Sequence, residues 1–265
     1  MPRPTKNATT ALITGATGAI GQAIARQLAQ HHFDVVLAVR NDAKAHQAMQ
    51  HIIKSTGNNR VRYELVDLSS RDSIFDLAQR WQGPLHVLIN NAGITPRHRQ
   101  ETEAGIELQF ATNVLGYFWM MQAFADTLKQ SAPARIINVA SYWAGDLQLD
   151  DLEFERRPYS NNTAYRQSKQ ANRMLTAAFA HRLRDDSITV NACHPGDVIS
   201  ALSNNLGFGG HQTPDEGART PVWLATDPIG QEVSGQYFER RRAVPDPFTT
   251  DKQAVEALYQ ACLQY

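Results

Sequence analysis

The chain has little that would fasten it by covalent or metal chemistry. Two cysteines among 265 residues, Cys193 and Cys262, cannot build a disulfide framework and match no zinc spacing. A reducing, cytoplasmic setting is therefore expected. None of the nine histidines forms a metal-spaced pair, and no metal is expected. Charge of neither sign is in excess: 26 Lys and Arg balance 26 Asp and Glu. Such a balance argues against a nucleic-acid partner and against an anionic membrane surface. No apolar run approaches the roughly 20 residues needed to cross a bilayer. Residues 1–9 lack the apolar stretch of a signal peptide and read as a mobile leader on a soluble protein. Internal repeats and low-complexity tracts are also missing. What remains is small-molecule work.

An apolar content of 42% supports a substantial core, and no linker divides the chain, so residues 1–265 are expected to form one domain. Apolar runs of strand length alternate with helical patterns, the signature of repeated βαβ units. The expected strands are Ala11–Thr14, Val35–Val39, Arg62–Val66, His86–Asn90, Ile136–Ala140, Thr189–Cys193 and Gln236–Phe238. Expected helices cover Ile20–Gln30, Asp42–Ser55, Arg71–Trp81, Glu107–Gln130, Ala164–Arg184, Asp215–Ala225 and Lys252–Leu263. This pattern predicts an α/β, doubly wound Rossmann-type domain: a parallel sheet of about seven strands with helices on both faces. Two regions break the rhythm. Tyr142–Asn162 is an insert rich in acidic residues, and 197–210 is an apolar, glycine-containing loop expected to cover the substrate. Both follow an expected strand, on the side where such sheets bind ligands.

Between the first strand and helix stands Thr14-Gly15-Ala16-Thr17-Gly18-Ala19-Ile20-Gly21. Glycines there let the backbone turn tightly and approach a pyrophosphate at the helix N-terminus. A tight βα connection without ligand would look the same. Far downstream, Tyr165 and Lys169 form a Tyr-x-x-x-Lys pair. Residues four apart share a helix face, so the Lys169 ammonium can sit beside the Tyr165 phenol and favour its ionised form. Tyr165 thereby becomes a candidate acid and base.

With these motifs in order, the chain resembles the short-chain dehydrogenase/reductase family over nearly its whole length. The ordered set is the glycine turn, Asp67-Leu68, Asn90-Asn91-Ala92-Gly93, Asn113, Ser141, Tyr165 with Lys169, and Pro195-Gly196. The long interval between Ser141 and Tyr165, Arg40, the run Tyr165-Arg166-Gln167-Ser168-Lys169-Gln170-Ala171-Asn172 and His194-Pro195-Gly196 are similar to the retinol-dehydrogenase-like branch. That resemblance implies that Tyr165 exchanges the substrate proton and Ser141 orients the carbonyl. It also implies that Lys169 lowers the Tyr165 pKa and holds the ribose, and that Asn113 anchors a water relaying protons. For the cofactor it implies contacts from Gly15, Thr17, Gly18, Ile20, Gly21, Asp67, Leu68, Asn91, Ala92, Gly93, Pro195, Gly196, Val198 and Ser200, with the Ser200 hydroxyl on the nicotinamide carboxamide. The glycines at 15, 18 and 21 fit the epimerase-containing branch as well.

Where NAD-preferring relatives carry an acidic residue that binds the ribose hydroxyls, this chain has Val39, and Arg40 follows it. An arginine there attracts a 2′-phosphate. NADP(H) is the expected cofactor, and a bulky, partly hydrophobic carbonyl or alcohol the expected substrate. A non-catalytic NADP-binding sensor or scaffold, and an epimerase or dehydratase with tightly held cofactor, stand as alternatives. The acidic residues Asp146, Asp150, Asp151, Glu153 and Glu155 read as a solvated face. Cys193 reads as a buried strand-end residue, His194 as hydrogen-bonded, and Arg240-Arg241-Arg242 as a solvated basic run. Tyr142, Trp143 and Trp223 could line the cavity or simply pack. Trp119, Met120, Met121 and Phe124 offer an apolar surface either to a homodimer partner or to the sheet.

Overall fold

Short β-branched and aliphatic runs separated by amphipathic segments produce one mixed sheet with helices on both sides. A computed structural model describes residues 9–265; the expected leader, residues 1–9, lies outside the described residues except for Thr9. The first half runs β1 (Thr10–Thr14), α1 (Ala19–Gln30), β2 (Asp34–Val39), α2 (Asp42–Thr56), β3 (Val61–Leu65), α3 (Arg71–Arg80) and β4 (Val87–Asn90). A broken helix follows: α4 (Leu108–Phe110), a π-helical turn (Ala111–Leu115), α5 (Gly116–Ala123) and α6 (Ala125–Gln130). Then come β5 (Ala134–Val139), α7 (Asn161–Arg182), β6 (Ile188–His194), α8 (Ala201–Asn205) and α9 (Pro214–Thr226). The chain closes with α10 (Ile229–Glu232), β7 (Tyr237–Glu239), β8 (Arg242–Val244) and α11 (Lys252–Cys262).

The sheet has eight strands in the order β3-β2-β1-β4-β5-β6-β7-β8. All pair in parallel except β8, which returns antiparallel on β7. The expected strands are all present; β8 is the addition. Its turn residues, Arg240 and Arg241, have φ of 49° and 62°, the left-handed values that a two-residue hairpin loop requires and that sequence rules assign to Asn-Gly. A turn spelled with arginines therefore carries no recognisable signal, which is why this stretch reads as a basic run.

Side chains of successive strand residues serve opposite faces. Leu12, Val36, Leu88, Ile136 and Val190 belong to one apolar cluster with residues of α5, α7 and α11. Ile13, Leu37, Ile89, Ile137 and Cys193 belong to the other, with residues of α1, α2 and α9. Chain order reverses direction between β1 and β4, and the crevice beyond the carboxyl ends of these strands is the ligand position in such sheets. Trp119, Met120, Met121 and Phe124 are buried against the sheet, so they offer no surface to a second copy.

Candidate active site

Three strand ends build the cofactor half of the site. After β1 the chain turns through Gly15, whose φ of 64° suits glycine, and a Cβ there would come within 2.8 Å of the Ala92 Cα. At Gly21 a Cβ would collide with the Gly15 carbonyl oxygen and come within 2.6 Å of the Asn91 amide nitrogen. The turn is thus pressed onto the end of β4. Thr14 locks the two together: its Oγ1 accepts from the Asn91 and Ala92 amides at 2.9 and 3.1 Å, and the Asn91 amide nitrogen donates to the Thr14 carbonyl at 2.9 Å. Gly18 is the N-cap of α1; no side chain caps the first turn and no acidic residue occupies it. The helix amides and the positive end of the helix dipole are therefore left for an anion.

These segments enclose one side of a cavity of about 850 Å³. Gly15, Thr17, Gly18, Ile20, Gly21, Arg40, Asp67, Leu68, Asn91, Ala92, Gly93, Pro195, Gly196, Val198 and Ser200 all line it, together with Ser141, Tyr165 and Lys169. Asp67 is fixed by bonds that its Oδ1 accepts from the Ser69 amide and hydroxyl, at 2.9 and 2.7 Å. Ser200 caps α8 and shares its hydroxyl with Ser203. Val39 is buried and Arg40 exposed at the end of β2. A glycine cradle, a free helix N-terminus and a cation at the second strand end suit a phosphorylated dinucleotide.

Of the four catalytic residues expected from sequence, Asn113 alone lies behind the cavity wall. It sits in the π-helical turn, fully buried. Its Oδ1 accepts from the Ile94 amide and its amide nitrogen donates to the Ile94 carbonyl, both at 2.9 Å. The extra residue of the π turn aims this side chain at the segment after β4, and such turns frequently mark functional positions. The expected helical stretch over Glu107–Gln130 forms from Leu108 onward, with this π turn inside it and an interruption at Phe124.

Ser141 follows β5, while Tyr165 and Lys169 lie one turn apart on the cavity face of α7. The Lys169 Nζ donates to the Val139 carbonyl at 2.9 Å. It lies 5.6 Å from the centre of the Tyr165 ring and 5.4 Å from that of Tyr117. Tyr117, overlooked in the sequence because it sits mid-helix among aromatics, donates to the same Val139 carbonyl at 3.2 Å. The expectation that Lys169 brings the phenol down is not met in this state. Burial pushes Tyr165 up to about 12, against a smaller downward pull from Ser141, with the Asp197 and Tyr142 charges adding to the rise. Burial likewise brings Lys169 down to about 8. Desolvation outweighs the pairing that spacing suggests.

The substrate half is aromatic and aliphatic. Tyr142, Trp143, Leu202, Leu206 and Phe208 line it. The Trp143 ring lies 6.0 Å from Tyr165 and packs edge-on against Phe208 at 5.6 Å. Trp223 instead packs against Phe238 beneath the sheet. His194 lines the cavity, but its buried Nδ1 has no hydrogen-bond partner among the described residues, contrary to the reading of it as bonded. Cys193 is buried, as its strand-end position suggested, and desolvation pushes its thiol up to about 12.

The acidic insert is only partly a solvated face. Asp151 is 6% exposed; its Oδ1 accepts from the Glu155 amide at 2.8 Å, and its other oxygen pairs with Arg157 at 3.3 Å. Glu153 receives the Glu107 amide at 2.8 Å and the Tyr265 hydroxyl at 2.6 Å. Glu153 thus pins the insert to the body of the domain, while Asp151 braces the insert from within. Among the described residues no cluster of His, Cys, Asp and Glu could hold a metal, and no helix is long and apolar enough to cross a membrane.

Residues 9–207 match the family model described as short chain dehydrogenase. The chain is 34% identical to retinol dehydrogenase 13 of Mus musculus, covering 94% of this chain and 81% of that protein. It is 33% identical to polyprenol dehydrogenase of Homo sapiens, covering 96% and 83%. A solved structure of a putative uncharacterized protein from Mycobacterium paratuberculosis superposes with a TM-score of 0.82 at 28% identity, over 98% of this chain and 94% of that one.

Proposed function

The chain belongs to the short-chain dehydrogenase family, in its retinol-dehydrogenase-like branch, and from that premise we propose that it is an NADP(H)-dependent oxidoreductase interconverting a carbonyl and an alcohol on a bulky, partly hydrophobic small molecule. The observation that carries this reading is the convergence of Ser141, Tyr165 and Lys169 on the cavity that also holds the glycine turn and Arg40. A bound nicotinamide would supply or take up the hydride. The chain's own groups then have to hold the substrate oxygen and move a proton. Tyr165, pushed up to about 12, carries its proton at neutral pH. It can therefore donate to an oxygen that gains charge during reduction. Lys169, at about 8, is mainly protonated at pH 7. Its cation beside the phenol ring favours that release as charge develops on Tyr165. Ser141 holds the same oxygen in line.

Arg40 supports NADP(H), since a guanidinium at the end of β2 matches a 2′-phosphate where a carboxylate would repel it. The aromatic and aliphatic substrate half supports a lipophilic substrate, and two relatives, retinol dehydrogenase 13 and polyprenol dehydrogenase, are named for lipophilic alcohols. The test is consumption of NADPH, then NADH, with bulky aldehydes and ketones, running Tyr165→Phe beside the wild type. We expect NADPH oxidation that falls at least about hundredfold in Tyr165→Phe, while the variant still binds NADPH. Turnover undiminished in Tyr165→Phe, or tighter binding of NADH than NADPH, would overturn the corresponding part.

A further inference from the structure

Asp197 introduces a charge into the otherwise aromatic and aliphatic substrate half. It lines the cavity with Tyr142, Trp143 and Tyr165. Among the described residues its carboxylate joins no ion pair. Its one side-chain hydrogen bond is a long one, 3.4 Å from the half-exposed Tyr142 hydroxyl to Oδ2. The residue is instead held by its backbone: its carbonyl accepts from the His211 and Gln212 amides at 2.8 and 3.0 Å. The preceding Gly196, at φ 108°, fits beneath the Gln212 side chain. A carboxylate offers several acceptor positions, and among the described residues only the Tyr142 hydroxyl uses one. The position is therefore fixed while the charge is left unspent. Its field reaches the reacting centre, since it acts on both the Tyr165 and Tyr142 phenols. Arg240, on the β7–β8 turn, lies near enough to act on His194 but forms no ion pair with Asp197.

We infer that Asp197 sets the substrate preference of this cavity: its carboxylate accepts a hydrogen bond from a hydroxyl or ammonium on the substrate, away from the reacting carbonyl, and turns away substrates with a carboxylate there. This deepens the oxidoreductase reading and rests on it. A fixed charge in a largely apolar pocket discriminates both ways, rewarding a donor and repelling a like charge. The substrate class is then a lipophilic carbonyl or alcohol with a polar donor group at some distance from the reacting carbon.

The probes are acetophenones carrying a para methyl, hydroxymethyl, aminomethyl or carboxylate group, tested on wild type, Asp197→Asn and Asp197→Glu. Two readouts are taken: kcat/KM with NADPH, and binding to the NADP⁺ complex followed by quenching of tryptophan fluorescence. We expect wild type to favour a donor-bearing probe over the carboxylate. The preference should shrink about tenfold in Asp197→Asn and return in Asp197→Glu. Movement of the aminomethyl probe alone identifies a cationic substrate group; movement of both donors identifies a neutral one as sufficient. A preference unchanged in Asp197→Asn by both readouts overturns the inference. If no probe turns over while the charge order in binding holds and is lost in Asp197→Asn, the specificity site stands and the oxidoreductase reading falls.

Discussion

At the scale of single residues, the site is governed by a contest between burial and charge pairing. Lys169 and Tyr165 stand where helical spacing puts them, yet both are displaced toward their neutral forms, because burial disfavours the charged form of each. A stability effect follows for the ligand-free protein. Lys169 has a folded pKa of about 8, below its ordinary 10.5, so above pH 8 the unfolded chain binds more protons than the folded one and stability rises with pH. Cys193 and Cys262, both raised from 9.0 to about 12, act in the opposite direction as the pH approaches and passes 9. Between pH 8 and 9 Lys169 therefore contributes a gain of about 1 kcal/mol that the two thiols partly offset. In chemical denaturation Lys169→Met should lose about that much stability relative to wild type across this interval; parallel pH profiles would place the effect elsewhere. Arg40 acts at the same scale through one charged contact. Arg40→Ala should weaken NADPH binding about ten- to hundredfold and NADH binding far less, measurable by titration of the reduced nicotinamide's fluorescence.

Elements decide which of these residues meet. The strands lie within about two residues of their expected positions because buried aliphatic runs bounded by turn residues have few alternatives. Over Glu107–Gln130 apolar periodicity registers the helix but not the π-helical turn within it that rotates Asn113 toward Ile94. That rotation is set by the carbonyl and amide of Ile94 needing partners, a tertiary demand absent from any local window. The loop over the substrate half is anchored at one point by aromatic contact, Phe208 on Trp143, although Phe208 remains 46% exposed. Flanking residues Gly207, Gly209 and Gly210 all have positive φ, which suits a segment that must bend sharply. Phe208→Ala should raise KM for a bulky ketone about two- to tenfold, with a smaller change for a short aldehyde. Equal changes for both would show that the loop does not discriminate size.

For the whole molecule, the sheet order places all three strand ends of the cofactor half beside one another, and the two apolar clusters hold that order from opposite faces. Trp119 is 1% exposed within one of them. Trp119→Ala should cost about 3–5 kcal/mol of stability, seen as an earlier urea midpoint, and sedimentation should show no change of assembly in the fraction that stays folded. A change of assembly at unaltered stability would return the residue to an interface. The sequence by itself determined the α/β class, the strand-helix alternation and the residues of the glycine turn and Tyr-x-x-x-Lys pair, because periodicity, turn chemistry and helical spacing are local and each leaves its mark within a few residues. Only the tertiary structure decided that Glu153 pins the insert to the domain while Asp151 braces it from within, that Arg240 and Arg241 turn a hairpin, that Tyr117 shares a carbonyl with Lys169, and that Asp197 lines the cavity with Tyr165 without an ion pair among the described residues. Each of those outcomes depends on how much water and which partner a group keeps after distant segments pack, and burial of that kind has no signature in the order of residues along the chain.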